Sequence, residues 1–254
     1  MSKDYKGRML FSVFNYIILT GAALLCLRPL IHVAAVSFSS SSAAAANVVR
    51  LWPVSFTTQS YEFALKRAEF LRSMSVSVKR ILLGGSINMF LTILTAYPLS
   101  KEVRDFKWRT VYAWIFFLTM LFSGGLIPSY MVVRSMKLLD TIWALVLPGA
   151  LPIFNLILLL NFFRQLPREL EEAAFLDGAG HWITLWKIYV PTSLPALATI
   201  ILFSVVGHWN SWFDGLIFMN SPNNYPLQSY LQTIVIQRDL SLVSSTDISS
   251  FAEM

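Results

Sequence analysis

A single cysteine, Cys26, in a chain of 254 residues rules out a disulfide framework and a thiolate metal site. Charge is scarce as well. Asp, Glu, Lys and Arg make up only 13% of the sequence, against about 25% in soluble domains, while 56% is hydrophobic and the mean hydropathy is +0.59. These values imply a chain embedded in a membrane. The net charge of +6 would suggest nucleic acid in a soluble protein, but the basic residues flank apolar runs as cytoplasmic anchors do, so no nucleic-acid partner is expected. No Gly-rich phosphate loop ending in Lys-Ser or Lys-Thr occurs, so the chain has no ATP site of its own. Paired carboxylates, metal-ligand clusters and base-activated nucleophiles are also missing from the apolar part, which excludes an intramembrane enzyme.

What the chain does have is five apolar stretches of bilayer-spanning length, which takes about 20 residues. They lie near 11–38, 78–99, 110–133, 141–163 and 192–213. Lys3, Lys6, Arg8, Lys101, Arg104, Lys107, Arg109, Arg164, Arg168 and Lys187 fall in short, dense segments on one side, and the positive-inside rule makes that side, with the N-terminus, cytoplasmic. The opposite side then carries the Ser- and Ala-rich run 39–47, read as a pliable exit from the first span, and an amphipathic helix with Tyr61, Leu65 and Phe70 toward the membrane or a neighbouring subunit. Lys79 and Arg80 are assigned to this external segment. On this basis residues 1–77 form an N-terminal region and 78–254 the core of an all-α, polytopic helical bundle. Among the spans the only acidic residue is Asp214, at an edge, which argues against an ion-coupled secondary transporter.

One cytoplasmic stretch, "LPRELEEAAFLDGAG" at 166–180, is strongly polar. Pro167 suits a helix start, Glu169, Glu171 and Glu172 favour the positive end of the helix dipole, and Gly178 or Gly180 supplies a left-handed stop. Ala173 and Ala174 leave one face small enough for close approach by another surface, so the helix at about 168–180 is a docking element by its physics. A plain connector satisfies the composition equally well.

The residues themselves carry a resemblance. Glu172, Ala173, Ala174, Asp177, Gly178, Ala179, Ile188, Pro191 and Pro195 reproduce the spacing of the cytoplasmic signature of membrane subunits of binding-protein-dependent ABC importers, with Leu185 where an aromatic is usual and Val190 where Leu is usual. "LTAYPLSKEVRDFKWR", "GGLIPSYMVVRSMKLLDTIWALVLP" and "HWNSWFDGLIF" extend it over most of the chain and are similar to the carbohydrate-uptake branch, in its maltose-type and oligosaccharide- or alginate-type forms. The resemblance implies a type I importer permease fold and a sixth span expected beyond the chain end. It implies a bacterial inner-membrane location, a second membrane subunit, two ATPase subunits that bind ATP and Mg, and an external solute-binding protein that delivers a sugar or oligosaccharide, neutral or anionic. It also implies that Glu171, Glu172, Ala173, Ala174, Asp177, Gly178, Ala179 and Pro191 belong to the ATPase-coupling element.

Two further groups are candidates for the substrate path. His208, Trp209, Asn210, Trp212 and Asp214 offer aromatic faces and hydrogen-bonding groups at helical spacing, although tryptophan at a span end also fits an interfacial belt. Arg28 is read as the one charge within the spans, and with His32 it would favour an anionic sugar unless it only snorkels to the interface. The external loop around Asn223, Asn224, Tyr225 and Gln228 is a candidate contact for the binding protein, with a simple surface loop as the alternative.

Overall fold

The computed structural model describes residues 2–236, and all regular structure in that range is helical. The chain divides into two compact units, 1–68 and 69–254.

In the first unit, the stretch Phe11–Ser37 of α1 (Ser2–Ser37) is predominantly apolar and long enough to cross a bilayer. The expected pliable exit is in fact ordered. Buried Ser39 donates through Oγ to the Ala35 carbonyl (2.7 Å) and accepts the Val54 N–H (3.0 Å). Ser40 caps the short helix α2 (Ser41–Ala45), whose Ala43 packs with Ala35 and Val49. The low-complexity run folds because serine hydroxyls satisfy the backbone that a bend would otherwise strand. After α3 (Gln59–Lys66) the chain turns at Arg67. Tyr61 is exposed, and it is also held on its own unit: its hydroxyl lies 2.8 Å from Ser37 Oγ and its ring 5.0 Å from that of Phe38.

The second unit is built around α4 (Ala68–Ser100), ten residues longer at its start than the apolar run suggests. Of the five spans, α1 and α4 are unbroken. The third breaks between α5 (Arg109–Leu121) and α6 (Leu126–Ser135) with a bend of 115°. Gly125 at this break has φ of 85°, open to glycine without strain. The fourth bends by 47° between α7 (Ile142–Val146), prolonged by one 3₁₀ turn to Gly149, and α8 (Ile153–Gln165). Pro148 and Pro152, which cannot donate to a helix ladder, bracket that bend.

Helix α9 (Arg168–Leu176) and α10 (His181–Thr184) follow, then a π-helical turn, Leu185–Tyr189, and α11 (Val190–Thr192). The chain bends by 82° into α12 (Leu194–Asn210) and closes with α13 (Phe213–Phe218) and a helical stretch at 227–236. The expected sixth span lies outside the described residues.

Two apolar clusters hold this unit. The larger joins Ile93, Ala96 and Tyr97 of α4 to Leu156, Leu159 and Phe163 of α8 and to Leu197 and Ile200 of α12. The smaller joins Val133, Ala144, Leu145, Phe218 and Met219. Lipid is as apolar as these side chains, so close packing and internal hydrogen bonds must hold the helices together. Helix α4 meets that demand with a stripe of small or polar buried residues, Ser73, Ser77, Arg80, Gly84, Asn88, Thr92 and Ala96, three or four apart.

Candidate functional site

Two polar centres are built on α4. At one end Lys101, directly after the helix, is buried and reaches Glu171 of α9, with Nζ 2.5 Å from Oε1. Tyr189, at the end of the π-helical turn, closes the arrangement: its hydroxyl accepts from Lys101 Nζ (3.0 Å) and donates to the other Glu171 oxygen (2.7 Å). The ammonium also lies over the Tyr97 and Tyr189 rings, 3.8 and 4.2 Å from their centroids. Burial pulls the Lys101 pKa below its ordinary value, while the bond to Glu171 acts the other way. Around this centre Arg168 pairs with Glu102, and His181 Nδ1 lies 3.2 Å from the Tyr97 hydroxyl. Thus α9, the π-helical turn and α4 are fastened at one place.

Helix α9 itself has two faces. Glu171 and Ala174 turn inward, and Ala174 is buried. Glu171 is taken up by an internal ion pair, and Ala174 packs within the chain. Glu169, Glu172, Ala173 and Leu176 form the opposite, exposed ridge, with Leu176 89% exposed although apolar. Asp177 caps the helix, Gly178 takes φ of 81°, Gly178 N–H donates to the Phe175 carbonyl (3.0 Å) and Ala179 N–H to that of Ala174 (2.9 Å). That pair of bonds is a complete Schellman stop, so the glycine ends the helix as its position predicts. Pro191 is exposed on α11, just past the π-helical turn.

Further back along α4 Arg80 is buried, only 3% exposed, and pairs with Asp214 of α13, its Nη1 3.1 Å from Oδ1. Arg28 is therefore not the only charge within the spans. A carboxylate partner is what makes a buried guanidinium tolerable, since an isolated one costs several kcal/mol. Ser211 Oγ donates to Asp214 (2.8 Å), and Arg80 Nε donates to His208 Nδ1 (3.4 Å). His208 Nε2 then faces the Asn88 carbonyl oxygen at 3.1 Å. In that orientation the Asn88 amide nitrogen donates to the carbonyls of Gly84 (3.0 Å), Ala150 (3.1 Å) and Gly149 (3.3 Å), whereas the reverse would set oxygen against oxygen. Arg80, Asn88 and His208 thus stitch α4 to α12, α13 and the bend before α8. A Cβ on Gly84 would lie 2.5 Å from the His208 ring, so the glycine is required for this close approach.

The cavity beside this network holds about 370 Å³ and is lined by Asn88, Asn155, Ser204, His208, Ser211 and Asp214 among others. Sequence spacing placed Trp209 and Trp212 on one helical face, but α12 ends at Asn210 and Ser211 is extended, so the spacing does not carry across. Trp212 is exposed and packs edge-on against Phe213; Trp209 is half-buried and Asn210 exposed. In the first unit, His32 Nδ1 is 2.8 Å from the Arg50 carbonyl oxygen, and Arg28 lies exposed on α1.

The loop at 220–228 is tied down rather than free. Asp140, in left-handed backbone (φ 62°), accepts from Asn220 N–H (3.2 Å), Ser221 N–H (3.1 Å) and Asn224 Nδ2 (3.1 Å). Tyr225 packs on the smaller apolar cluster, Asn223 is bonded to Arg72, and Gln228 is half-buried. Arg80, Asn88, Lys101, Asp140 and Tyr189 were not among the residues expected in the site. The signal for the first two was their place on one stripe with Gly84, at intervals of four.

Residues 77–252 match the model of a family described as binding-protein-dependent transport system inner membrane component. The chain is 41% identical to Protein LplC of Bacillus subtilis over 93% of its own length and 79% of the relative's. It is 40% identical to the polygalacturonan/rhamnogalacturonan transport system permease protein YtcP of the same organism, over 93% and 84%. Among solved structures it is similar to a chain of a bacterial ABC transporter involved in the import of the acidic polysaccharide alginate, with a TM-score of 0.85, 31% identity, and coverage of 93% and 83%.

Proposed function

Since the chain belongs to the binding-protein-dependent transport system inner membrane components, we propose that it is the membrane subunit of an ATP-driven importer for an acidic, uronate-containing oligosaccharide. The acidic substrate is suggested by two relatives, one named for polygalacturonan and one for alginate. ATP and Mg are bound by two partner ATPase subunits, and an external binding protein hands the sugar to this chain and a second membrane subunit. The N-terminus and α9 are cytoplasmic.

The observation that carries the reading is the two-faced α9. Its outer ridge, Glu172, Ala173 and Leu176, offers a carboxylate, a small contact and an apolar knob to an ATPase cleft, and the Gly178 stop fixes its length. Its inner face holds Lys101 through Glu171. Closure of the ATPases displaces α9, and the Lys101–Glu171–Tyr189 centre passes the displacement to α4 as a rigid movement between two arrangements. The stretch of α4 from Arg80 to Asn88 then shifts against α12 and α13, where Asn88, Asn155, Ser204 and His208 face the 370 Å³ cavity and serve sugar hydroxyls. Arg28 and His32 attract the carboxylates of the substrate. Asn223 and Gln228, on the pinned loop, meet the binding protein.

The test is uptake by the complex reconstituted in vesicles with ATP inside and binding protein outside. Oligogalacturonate or oligomannuronate is expected to stimulate ATPase activity and accumulate, and Gly178→Val or Glu172→Lys is expected to stop accumulation while ATP hydrolysis continues. Equal transport by those variants would overturn the role of α9; stimulation by neutral oligosaccharides alone would overturn the acidic substrate.

A further inference from the structure

A groove of about 430 Å³ runs between α5 and α8, walled by Ala113, Phe116, Phe117, Leu156, Ile157 and Leu160, with Trp114 at its side. At the end nearest α9 its apolar wall gives way to Arg109, at the start of α5, and Arg164, in the last turn of α8. Among the described residues neither guanidinium is in an ion pair. Of the nearby carboxylates, Glu171 is paired with Lys101, Glu102 with Arg168 and Asp105 with Arg104, and Glu172, exposed on the outer ridge of α9, pairs with neither guanidinium. Arg109 spends one Nη1 donor on the Lys101 carbonyl (2.8 Å) and Arg164 one Nη2 donor on the Leu99 carbonyl (3.2 Å). The buried Nε of Arg109 has no partner at all.

Two unneutralised guanidiniums at the mouth of an apolar slot call for a ligand that is anionic at one end and hydrocarbon along the rest. A soluble phosphate would leave the slot empty, and an apolar helix would leave both charges and the Arg109 Nε unanswered. We infer that this groove holds an anionic phospholipid, its phosphate on Arg109 and Arg164 and an acyl chain between α5 and α8. Basic pockets between spanning helices at the cytoplasmic face recognise headgroups in this way. That the pocket is on the cytoplasmic side rests on α9 being the ATPase-docking element; binding of the lipid does not. The site touches both the helix after Lys101 and the end of α8, so the lipid would brace the same corner of the bundle that α9 pulls on.

Trp114 lines the groove and reports on it. In the purified complex, its emission is isolated as the difference between the wild type and Trp114→Phe. Two reciprocal mixtures are compared in symmetric vesicles: a minor share of brominated phosphatidylglycerol in plain phosphatidylcholine, and the same share of brominated phosphatidylcholine in plain phosphatidylglycerol. The first is expected to quench Trp114 at about tenfold lower mole fraction than the second, with the preference lost in Arg109→Gln/Arg164→Gln and kept in Arg109→Lys/Arg164→Lys. Equal quenching in the two mixtures of the wild type would overturn the proposal by making the groove ordinary lipid-facing surface. No quenching in either would overturn it by showing the groove filled with protein. Neither result depends on transport, so the functional reading is tested separately.

Discussion

Lys101 and Glu171 are 70 residues apart in sequence and 2.5 Å apart in space, and the contact is the only ion pair among the described residues that ties α4's polar end directly to an inward-facing carboxylate of α9. Breaking a buried pair by removing one partner costs about 3–5 kcal/mol because the survivor is left unpaired. Glu171→Gln and Lys101→Met are therefore each expected to lower the denaturation midpoint of the purified complex and to weaken the link between ATP hydrolysis and uptake. The double change should recover most of the stability, since it leaves no orphan charge. Thermal unfolding of the three variants checks this, and an additive double mutant would refute the coupling.

The same logic applies at Arg80 and Asp214, with a different reader. Asp214→Leu leaves a buried guanidinium without a carboxylate and should reduce the amount of membrane-inserted protein severalfold. Arg80→Met in addition should restore it. Quantifying inserted protein by membrane fractionation decides the matter, and unchanged levels in Asp214→Leu would show that the pair contributes little.

Gly84 tolerates no side chain while His208 stays in place, because the added Cβ would lie 2.5 Å from the ring. Overpacking of this kind costs about 1–3 kcal/mol. Gly84→Ala should destabilise by that amount and His208→Ala should relieve most of it in the double variant. A destabilisation that persists without the imidazole would place the conflict elsewhere.

The loop held by Asp140 should respond to acid. Burial on its own would raise the Asp140 pKa, but hydrogen bonds from Asn224, Ser221 and Asn220 outweigh it and hold the carboxyl below its ordinary range. A depressed folded-state pKa means the stabilisation is complete above the unfolded value of about 3.9 and is lost as pH falls through the lower, folded one. Pepsin cleavage or hydrogen exchange at 220–224 should stay low at pH 5, rise only below about pH 4, and be high at all pH values in Asp140→Ala. Protection in Asp140→Ala equal to that of the wild type would show that the carboxylate does not pin the loop.

Much of this was legible in the residues. Apolar run lengths located all five spans, and the spacing from Glu172 to Pro191 located the α9 helix and its glycine stop, because both features are local and repeat a simple period. What was hidden depends on the partner across the interface. Glu171 and Glu172 are adjacent and chemically alike, yet one is buried in an ion pair and the other exposed, a difference set by where Lys101 and Tyr189 arrive in space. Arg80 stood at the edge of an apolar run and looked external, because nothing local announces that Asp214 will cover it. The aromatic face at Trp209 and Trp212 failed for the opposite reason: the period was extended past Asn210, where the helix has already ended.

Helix α4 also sets a length. Between Arg80 and Lys101 lie 21 steps of 1.5 Å, or about 32 Å, close to the hydrocarbon thickness of a bilayer. Over that interval the helix carries no charged residue, and at each limit it is anchored by a cation held on a carboxylate from another helix. The two ion pairs fix where α4 meets its neighbours: any tilt or slide of the helix must carry both partners along or break one pair.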